Sequence, residues 1–406
     1  MTKFLLADLP FPHPDLIETR RTLHRRPEVG LQLPQTQALI VRELRQMGLE
    51  ARMGRSVSSV IAVIEGGKRR RDGTPGPTIL LRGDMDGLPL HEDTGLEFAS
   101  ETGDTMHACG HDTHVAMLLG AARLLLDRRD ELAGNVLLMF QPGEEGWHGA
   151  RYMLEEGLLD SAPTPVEAAF AIHITNEYRS GVVAVRPGPT YAAADTIRMT
   201  VRGRGGHASA PHEALDPVPV AAEIVLALQL LVTRTVSVFD PAVITIAHVT
   251  AGTRDNIIPE VALLEGTLRT LSEETRARLK DGIRRVAEGI ASAHGASVEL
   301  EIEQGYPVTV NDAGFAELVR TVATDLVGSD DVVVPDAPVM GAEDFSYVLQ
   351  KVPGAMAHLG GRPADVDPTT APQNHSNRVV FDEDAMTVGA ALHAAVALRY
   401  LGADGD

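Results

Sequence analysis

The amino-acid sequence predicts an α/β protein in which a smaller domain is inserted into a larger one. Short apolar runs alternate with helical patterns near both ends of the chain, and this rhythm changes between residues 193 and 303. Alternating strands and helices are typical of an α/β sheet covered by helices. The predicted division is therefore 1–192 and 304–406 for the larger domain, with 193–303 as the insertion.

The first part of the larger domain contains one clear amphipathic helix and several buried strands. In residues 115–126 apolar side chains recur at spacings of three and four, which predicts a helix with one buried face. Asp112 is the expected N-cap, because its carboxylate can accept hydrogen bonds from the first free N–H groups. Continuous apolar runs predict strands at 58–64, 78–81, 135–140 and 168–174.

The inserted domain follows the order β-α-β-β-α-β, which is the ferredoxin-like pattern. Its strands are predicted at 196–202, 242–249, 262–270 and 297–303, and its helices at 217–233 and 273–294. Helices at 313–326 and 384–400 then resume the larger domain.

Composition is typical of a soluble enzyme and argues against several other classes. The net charge of −20 disfavours nucleic acid or an anionic membrane as a partner, since both need a basic surface. The apolar run 220–232 is interrupted by Glu223 and Gln229 and is shorter than the roughly 20 residues of a membrane span. Residues 1–8 do not resemble a secretory signal, and a single cysteine permits no intrachain disulfide, so we expect a cytoplasmic protein.

One short segment concentrates residues that bind metals. Residues 107–114 hold three histidines, an aspartate and the single cysteine of the chain, Cys109. Thiolate and imidazole are ligands for zinc and similar ions, and the helix dipole behind this segment would favour the thiolate. His107, Asp112 and His114 are interpreted as supporting, capping and packing residues of the segment.

A second segment supplies carboxylates. Glu144 and Glu145 follow the apolar run 136–140 within the sequence QPGEEG. Two adjacent carboxylates can have different roles, since one can bind a metal while its neighbour transfers protons.

Seven motifs in this order and spacing resemble the amidohydrolase branch of the co-catalytic metallopeptidases, which includes hippurate hydrolases, N-acetyl-amino-acid deacetylases and auxin-conjugate hydrolases. The resemblance extends from about Arg20 to the C-terminal helix. It implies a mixed-sheet, metallopeptidase-like catalytic domain with a ferredoxin-like lid or dimerisation domain. The motifs are RGDMDGLP at 82–89, HACGHD at 107–112, QPGEEG at 141–146, GGHAS at 205–209, NIIP at 256–259, MGAEDFS at 340–346 and NHS at 374–376.

The resemblance implies two divalent metal ions per subunit. Zinc, nickel, manganese and cobalt all accept this mixture of donors, so the identity of the metal stays open. His173 ends a predicted strand, where catalytic groups of parallel sheets often gather. Broader relatives have a histidine at the position of Asp84, and in this branch a cysteine takes over that role. The implied ligands are Cys109, His111, Glu145, His173 and His375.

The resemblance also assigns residues to catalysis and substrate binding. Glu144 would be the general base, and Asp86 would either orient a ligand histidine or cap a turn. His207 would polarise the scissile carbonyl, from its own subunit or from a partner. Asn256 and Arg269 would bind the substrate, although Arg269 could instead form a salt bridge on an exposed strand.

The expected reaction is hydrolysis of the amide bond of an N-acyl amino acid, a small molecule, by a homodimer joined through 217–232 and 242–249. The alternatives are a dipeptidase, an N-acetyl-diaminopimelate deacetylase, or a metal-binding scaffold without activity. The chain departs from the family pattern at Trp147 and His148, where small residues are usual, so the acyl group stays open.

Overall fold

The computed structural model describes residues 14–70 and 73–402. The predictions for residues 1–8, and the outermost limits of the larger domain, lie outside the described residues. The helices are α1 Pro14–His24, α2 Pro34–Gln46, α3 His111–Asp127, α4 Gly149–Glu155, α5 Pro217–Thr235, α6 Glu273–Ala293, α7 Ala313–Val327, α8 Ser346–Leu349 and α9 Ala385–Gly402. The strands are β1 Arg52–Met53, β2 Val60–Glu65, β3 Thr78–Asp84, β4 Asn135–Gln141, β5 Val166–Arg179, β6 Val183–Ala184, β7 Gly188–Tyr191, β8 Ala193–Arg202, β9 Gly206–His207, β10 Ala242–Ala251, β11 Ile257–Ile258, β12 Val261–Thr270, β13 Ser297–Gln304, β14 Thr309–Asn311, β15 Val332–Val333 and β16 Gly354–Arg362.

The chain forms two compact units. The first comprises the described residues of Met1–Gly188, Val310–Ala337 and Tyr347–Asp406, and the second comprises Pro189–Thr309 and Pro338–Ser346. Segment 338–346 thus belongs to the second unit, whereas the sequence-based division leaves it in the larger domain. It joins that unit through the backbone, since Ala192 N–H donates to the carbonyls of Val339 and Gly341.

The first unit is built on an eight-stranded mixed sheet with the order β1-β2-β4-β3-β5-β16-β6-β15. Its central strands β4, β3, β5 and β16 run parallel. Every residue of β3 and β4 is buried, as expected for strands covered on both faces. This explains why the sequence shows continuous apolar runs there, and the mixed α/β architecture predicted from it is confirmed.

Two local predictions for this unit are wrong in detail. Helix α3 begins at His111 with Gly110 as its N-cap, and Asp112 lies buried in the first turn instead of capping it. Its carboxylate accepts from Arg20 Nε and pairs with His24 Nδ1, both at 2.8 Å. His173 lies inside β5, because this strand continues to Arg179.

The second unit contains a four-stranded antiparallel sheet with the order β10-β12-β8-β13. Helices α5 and α6 pack on one face of it, and β8 alternates between buried and more exposed residues accordingly. The chain order of these elements is β-α-β-β-α-β. Each differs by no more than three residues at either end from the sequence-based ranges.

Among the described residues, two helices are long and apolar enough to cross a membrane by length and composition alone. Helix α9 is mostly buried, which is expected of a core helix. Helix α5 is apolar over most of its length, and less than a third of it is buried. Its outer face exposes Leu226 and Leu230 by 69% and 61%. This face is a candidate contact surface for a partner.

Candidate functional site

Asp86 connects the two segments that the sequence singles out. Its Oδ1 and Oδ2 accept the backbone N–H groups of Glu144 and Glu145, both at 3.0 Å. Its Oδ1 also lies 3.3 Å from Nδ1 of His111. The sequence allows Asp86 either to orient a ligand histidine or to cap a turn. Its contacts in the structure are consistent with both roles.

Gly110 allows the loop with Cys109 to approach β5. Its φ is +86°, and a Cβ at this position would lie 2.4 Å from Cγ2 of Ile174. Only glycine fits such a left-handed, crowded position without displacing the strand. As a result, Sγ of Cys109 lies 3.4 Å from Nε2 of His173.

Hydrogen bonds with the backbone position His173 and His375. His173 Nδ1 donates to the carbonyl of Ile174 at 2.7 Å, which leaves the lone pair of Nε2 directed at Cys109. His375 has a φ of +68°, and its backbone N–H donates to the carbonyl of Ala108. Its Nε2 lies 3.2 Å from Oε1 of Glu145.

All five predicted ligands and Glu144 converge in the first unit. Their donor atoms form three overlapping groups, each within 4.8 Å: Cys109 with His111 and His173, Cys109 with Glu145 and His375, and His111 with Glu144 and Glu145. The first two groups consist only of predicted ligands and offer nitrogen, sulfur and carboxylate donors for two adjacent ions, and the third places Glu144 beside them.

The chemistry of His111 fits a cation. The side chain is fully buried, and among the described residues neither ring nitrogen has a hydrogen-bond partner of good geometry. Carboxylate oxygens of Asp84 and Asp86 lie 3.2 and 3.3 Å from Nε2 and Nδ1, so negative charge surrounds a ring whose nitrogens make no well-aligned hydrogen bond, and a coordinated ion would satisfy both. The residues present therefore suit the metal centre that the sequence resemblance implies.

A fourth group of donors, made of Asp84, His111 and His114, is less suitable for a metal. Nε2 of His114 accepts the N–H of Ile174 at 2.8 Å, so Nδ1 has the proton and donates to Asp84. Both ring nitrogens are thus engaged. Burial opposes ionisation of Asp84, but the charges of Arg82 and His111 hold its pKa well below the usual value. His114 acts as a brace between β3 and β5.

Burial raises the pKa of the Cys109 thiol, and the charge of Glu145 raises it further. Contacts with Cys109 and then Glu145 raise the pKa of His375 to about 10. Metal binding must therefore displace protons from these ligands.

Asn374 lies in the NHS motif, and its local sequence indicates no role for it. Its Nδ2 donates to the carbonyls of Cys109 and Ile174, at 3.2 and 3.0 Å, so that one amide ties both ligand segments together. The buried pairs of Asp112 with Arg20 and His24 were also missed. No local pattern could reveal them, because the partners are 92 and 88 residues apart.

The second unit brings His207 and Asn256 together. β9 pairs with β11, and Ala208 N–H donates to the carbonyl of Asn256. Nδ1 of the exposed His207 accepts the N–H of Ser209 at 3.1 Å, so Nε2 has the ring proton of the neutral form. That nitrogen is therefore a hydrogen-bond donor.

The alternative to substrate binding for Arg269 was a salt bridge on an exposed strand, and it is not observed among the described residues. It is half-buried on β12 and donates to Thr267 Oγ1 and the carbonyl of Leu268. Within the described part of the chain, no carboxylate is in ion-pair contact with it. Burial lowers the pKa of its guanidinium, as expected for a cation whose charge is incompletely compensated.

Comparison with known proteins identifies the family. Residues 80–399 match the model described as peptidase family M20/M25/M40. The chain belongs to this family. The resemblance inferred from the seven motifs is thereby confirmed.

M20-family relatives match this chain over nearly its whole length. It is 40% identical to thermostable carboxypeptidase 1 of Saccharolobus solfataricus, over 95% of each chain. It is 38% identical to N-acetylcysteine deacetylase of Bacillus subtilis, over 98% of this chain and 99% of the relative. Among solved structures, a Bacillus subtilis protein described as a dinuclear metal binding peptidase of the M20 family has a TM-score of 0.81 and 34% identity, covering 95% of this chain and 98% of its own.

Proposed function

We propose that this M20-family chain is a metal-dependent amidohydrolase that cleaves N-acyl amino acids into a carboxylic acid and a free amino acid. The observation that supports this most strongly is the convergence of the donor atoms of Cys109, His111, Glu145, His173 and His375 in overlapping groups, each within 4.8 Å. A deacetylase among the relatives supports the same reaction class.

Glu144 is the proposed general base. It is 6% exposed, and its backbone is fixed by Asp86 beside the ligand Glu145. Two divalent ions held by the five ligands would supply Lewis acidity and make a water molecule in the site easier to deprotonate. Glu144 would accept the proton of that water as it attacks the acyl carbon, and would return the proton to the leaving nitrogen.

The proposed function is tested by a hydrolysis screen read as amine release. The substrates are benzoyl-, acetyl-, long-chain acyl- and indoleacetyl-amino acids, together with dipeptides. Hydrolysis of the acyl conjugates supports the proposal, whereas hydrolysis of dipeptides alone would identify a dipeptidase. A protein that binds metal but releases no amine from any of them would be a scaffold.

The proposed homodimer would form through the second unit. β10 lies at the edge of its sheet, and edge strands offer unpaired backbone groups to another chain. Val243 and Val249 on this strand are 42% and 55% exposed, and the apolar outer face of α5 belongs to the same unit. A twofold pairing of these surfaces would bury both. A cytoplasmic location is part of the same proposal.

The role proposed for His207 can be tested between subunits. Its Nε2–H could donate to the carbonyl under attack, and a histidine that reaches a partner's site would complement in trans. Mixing His207→Ala with Glu144→Gln subunits should then restore part of the activity, since some sites would combine an intact Glu144 with an intact His207. Heterodimers that are isolated and still inactive would place His207 in its own subunit's site or outside catalysis.

Arg269 is proposed to bind the α-carboxylate of the amino-acid half. Two charge-assisted hydrogen bonds would compensate its half-buried charge. A substrate amidated at this carboxylate should lose about 2 kcal/mol of transition-state binding, or about thirtyfold in kcat/KM. Arg269→Ala should remove most of this preference, and Arg285→Ala, at an exposed position on α6, should retain it. Equal hydrolysis of both substrates by the native protein would contradict this role.

A further inference from the structure

Trp147 lies next to the candidate metal centre and is not explained by it. It is the only tryptophan of the chain, and its side chain is 50% exposed. It follows Glu145 by two residues, so their Cα atoms are at most about 7 Å apart. A large apolar ring half-open to solvent beside reacting groups is a candidate substrate contact.

The indole lies close to Gly30. A Cβ on Gly30, where φ is +83°, would lie 3.3 to 3.5 Å from Cε2, Cδ2 and Nε1 of Trp147. A Cβ on Gly143 would lie 3.0 Å from Cβ of the tryptophan. The absence of side chains at these two positions therefore leaves room for Trp147, which is half exposed.

The loop around Trp147 is held at both ends. Gly149 N–H donates to the carbonyl of Gly143 at 3.0 Å. His148 has a φ of +60°, and its Nδ1 lies 2.9 Å from the hydroxyl of Tyr347. Among the described non-glycine residues, only His148 and the proposed ligand His375 have positive φ. Such strained conformations persist where surrounding contacts impose them, and they are common at binding sites.

We propose that Trp147 is the stacking surface for the acyl half of the substrate, and that this acyl group is aromatic. The inference rests on the proposed function, because it assigns the two halves of an N-acyl amino acid. The face of an indole is electronegative and repels a carboxylate, so it disfavours the amino-acid half. A flat, uncharged ring such as benzoyl or indoleacetyl matches it, whereas an acetyl group covers little of its area.

Kinetics of matched substrates test this assignment. Trp147→Ala should lower kcat/KM for benzoylglycine about tenfold and change that for acetylglycine by less than about twofold, since stacking contributes only where a second ring is present. Trp147→Phe should retain most of the benzoyl preference. Met53→Ala, which removes another exposed apolar side chain of the first unit, should change neither value. An equal loss for both substrates in Trp147→Ala would mean that the ring only supports the loop, and would overturn the proposal.

The single tryptophan also allows binding to be measured without turnover. In Glu144→Gln protein, whose turnover should be very slow, benzoylglycine should change the intrinsic emission in a saturable way and acetylglycine should change it little. An unchanged emission at benzoylglycine concentrations that the native protein hydrolyses would refute stacking on Trp147. If the native protein hydrolyses none of the acyl-amino acids of the screen, the proposed function fails, and the emission titration still shows whether an aromatic acyl group binds at Trp147.

Discussion

Replacement of Glu144 by glutamine is expected to lower kcat by about a thousandfold or more while the metal content stays unchanged. Glutamine has nearly the same shape and can still hydrogen-bond to water, but it cannot accept a proton. The backbone N–H of residue 144 would still donate to Asp86, so the turn should persist. Steady-state kinetics and metal analysis of the same preparation measure both halves of this expectation.

Glu145→Gln is the matched control, since the change is chemically identical and one residue away. A neutral amide is a much weaker ligand than a carboxylate, so this variant should lose bound metal as well as activity. Similar metal content in the two variants, with similar losses of activity, would mean that the roles of the two glutamates are assigned wrongly.

Removal of metal is expected to abolish amide hydrolysis completely. Dialysis against a strong chelator should give inactive protein, and one divalent ion should restore the activity. The reason is that Glu144 alone cannot make a neutral water molecule sufficiently nucleophilic near neutral pH. Full activity in protein shown to be free of metal would refute the proposed mechanism.

Cys109→Ser tests one ligand within the same experiment. A serine hydroxyl binds these ions far more weakly than a thiolate does, so the metal content should fall. The substitution is nearly isosteric and the helix begins after Gly110, so the fold should be retained. Unchanged metal stoichiometry would remove Cys109 from the centre.

The sequence predicts those parts of the fold that depend on local pattern. The helix expected at 313–326 is observed at Ala313–Val327, because its apolar spacing is a local signal, and in the structure Asp312 caps it by accepting the N–H of Phe315. The continuous apolar runs of β3 and β4 were equally clear, because both faces of these strands are buried. Element boundaries differed where tertiary contacts extend a strand, as in β5 beyond His173.

The candidate site shows a similar division. Its members were chosen through a resemblance between motifs, and their convergence in space is observed, although the role of each one stays a prediction. Local patterns do not predict the hydrogen bonds that connect the segments of the site. His114 bonds to Asp84 and Ile174, and Asn374 bonds to Cys109 and Ile174. These contacts join segments that are 30 to 265 residues apart in the chain, so no local pattern reveals them.

The clamp formed by Asp86 limits how this loop can evolve. Its two oxygens hold consecutive backbone N–H groups, so inserting or deleting one residue would exchange the positions of base and ligand. The closure between Gly143 and Gly149 restricts the length further. Natural divergence or laboratory engineering of this site should therefore proceed by exchanging side chains at Trp147 and His148, whereas grafting of longer or shorter loops should yield inactive proteins.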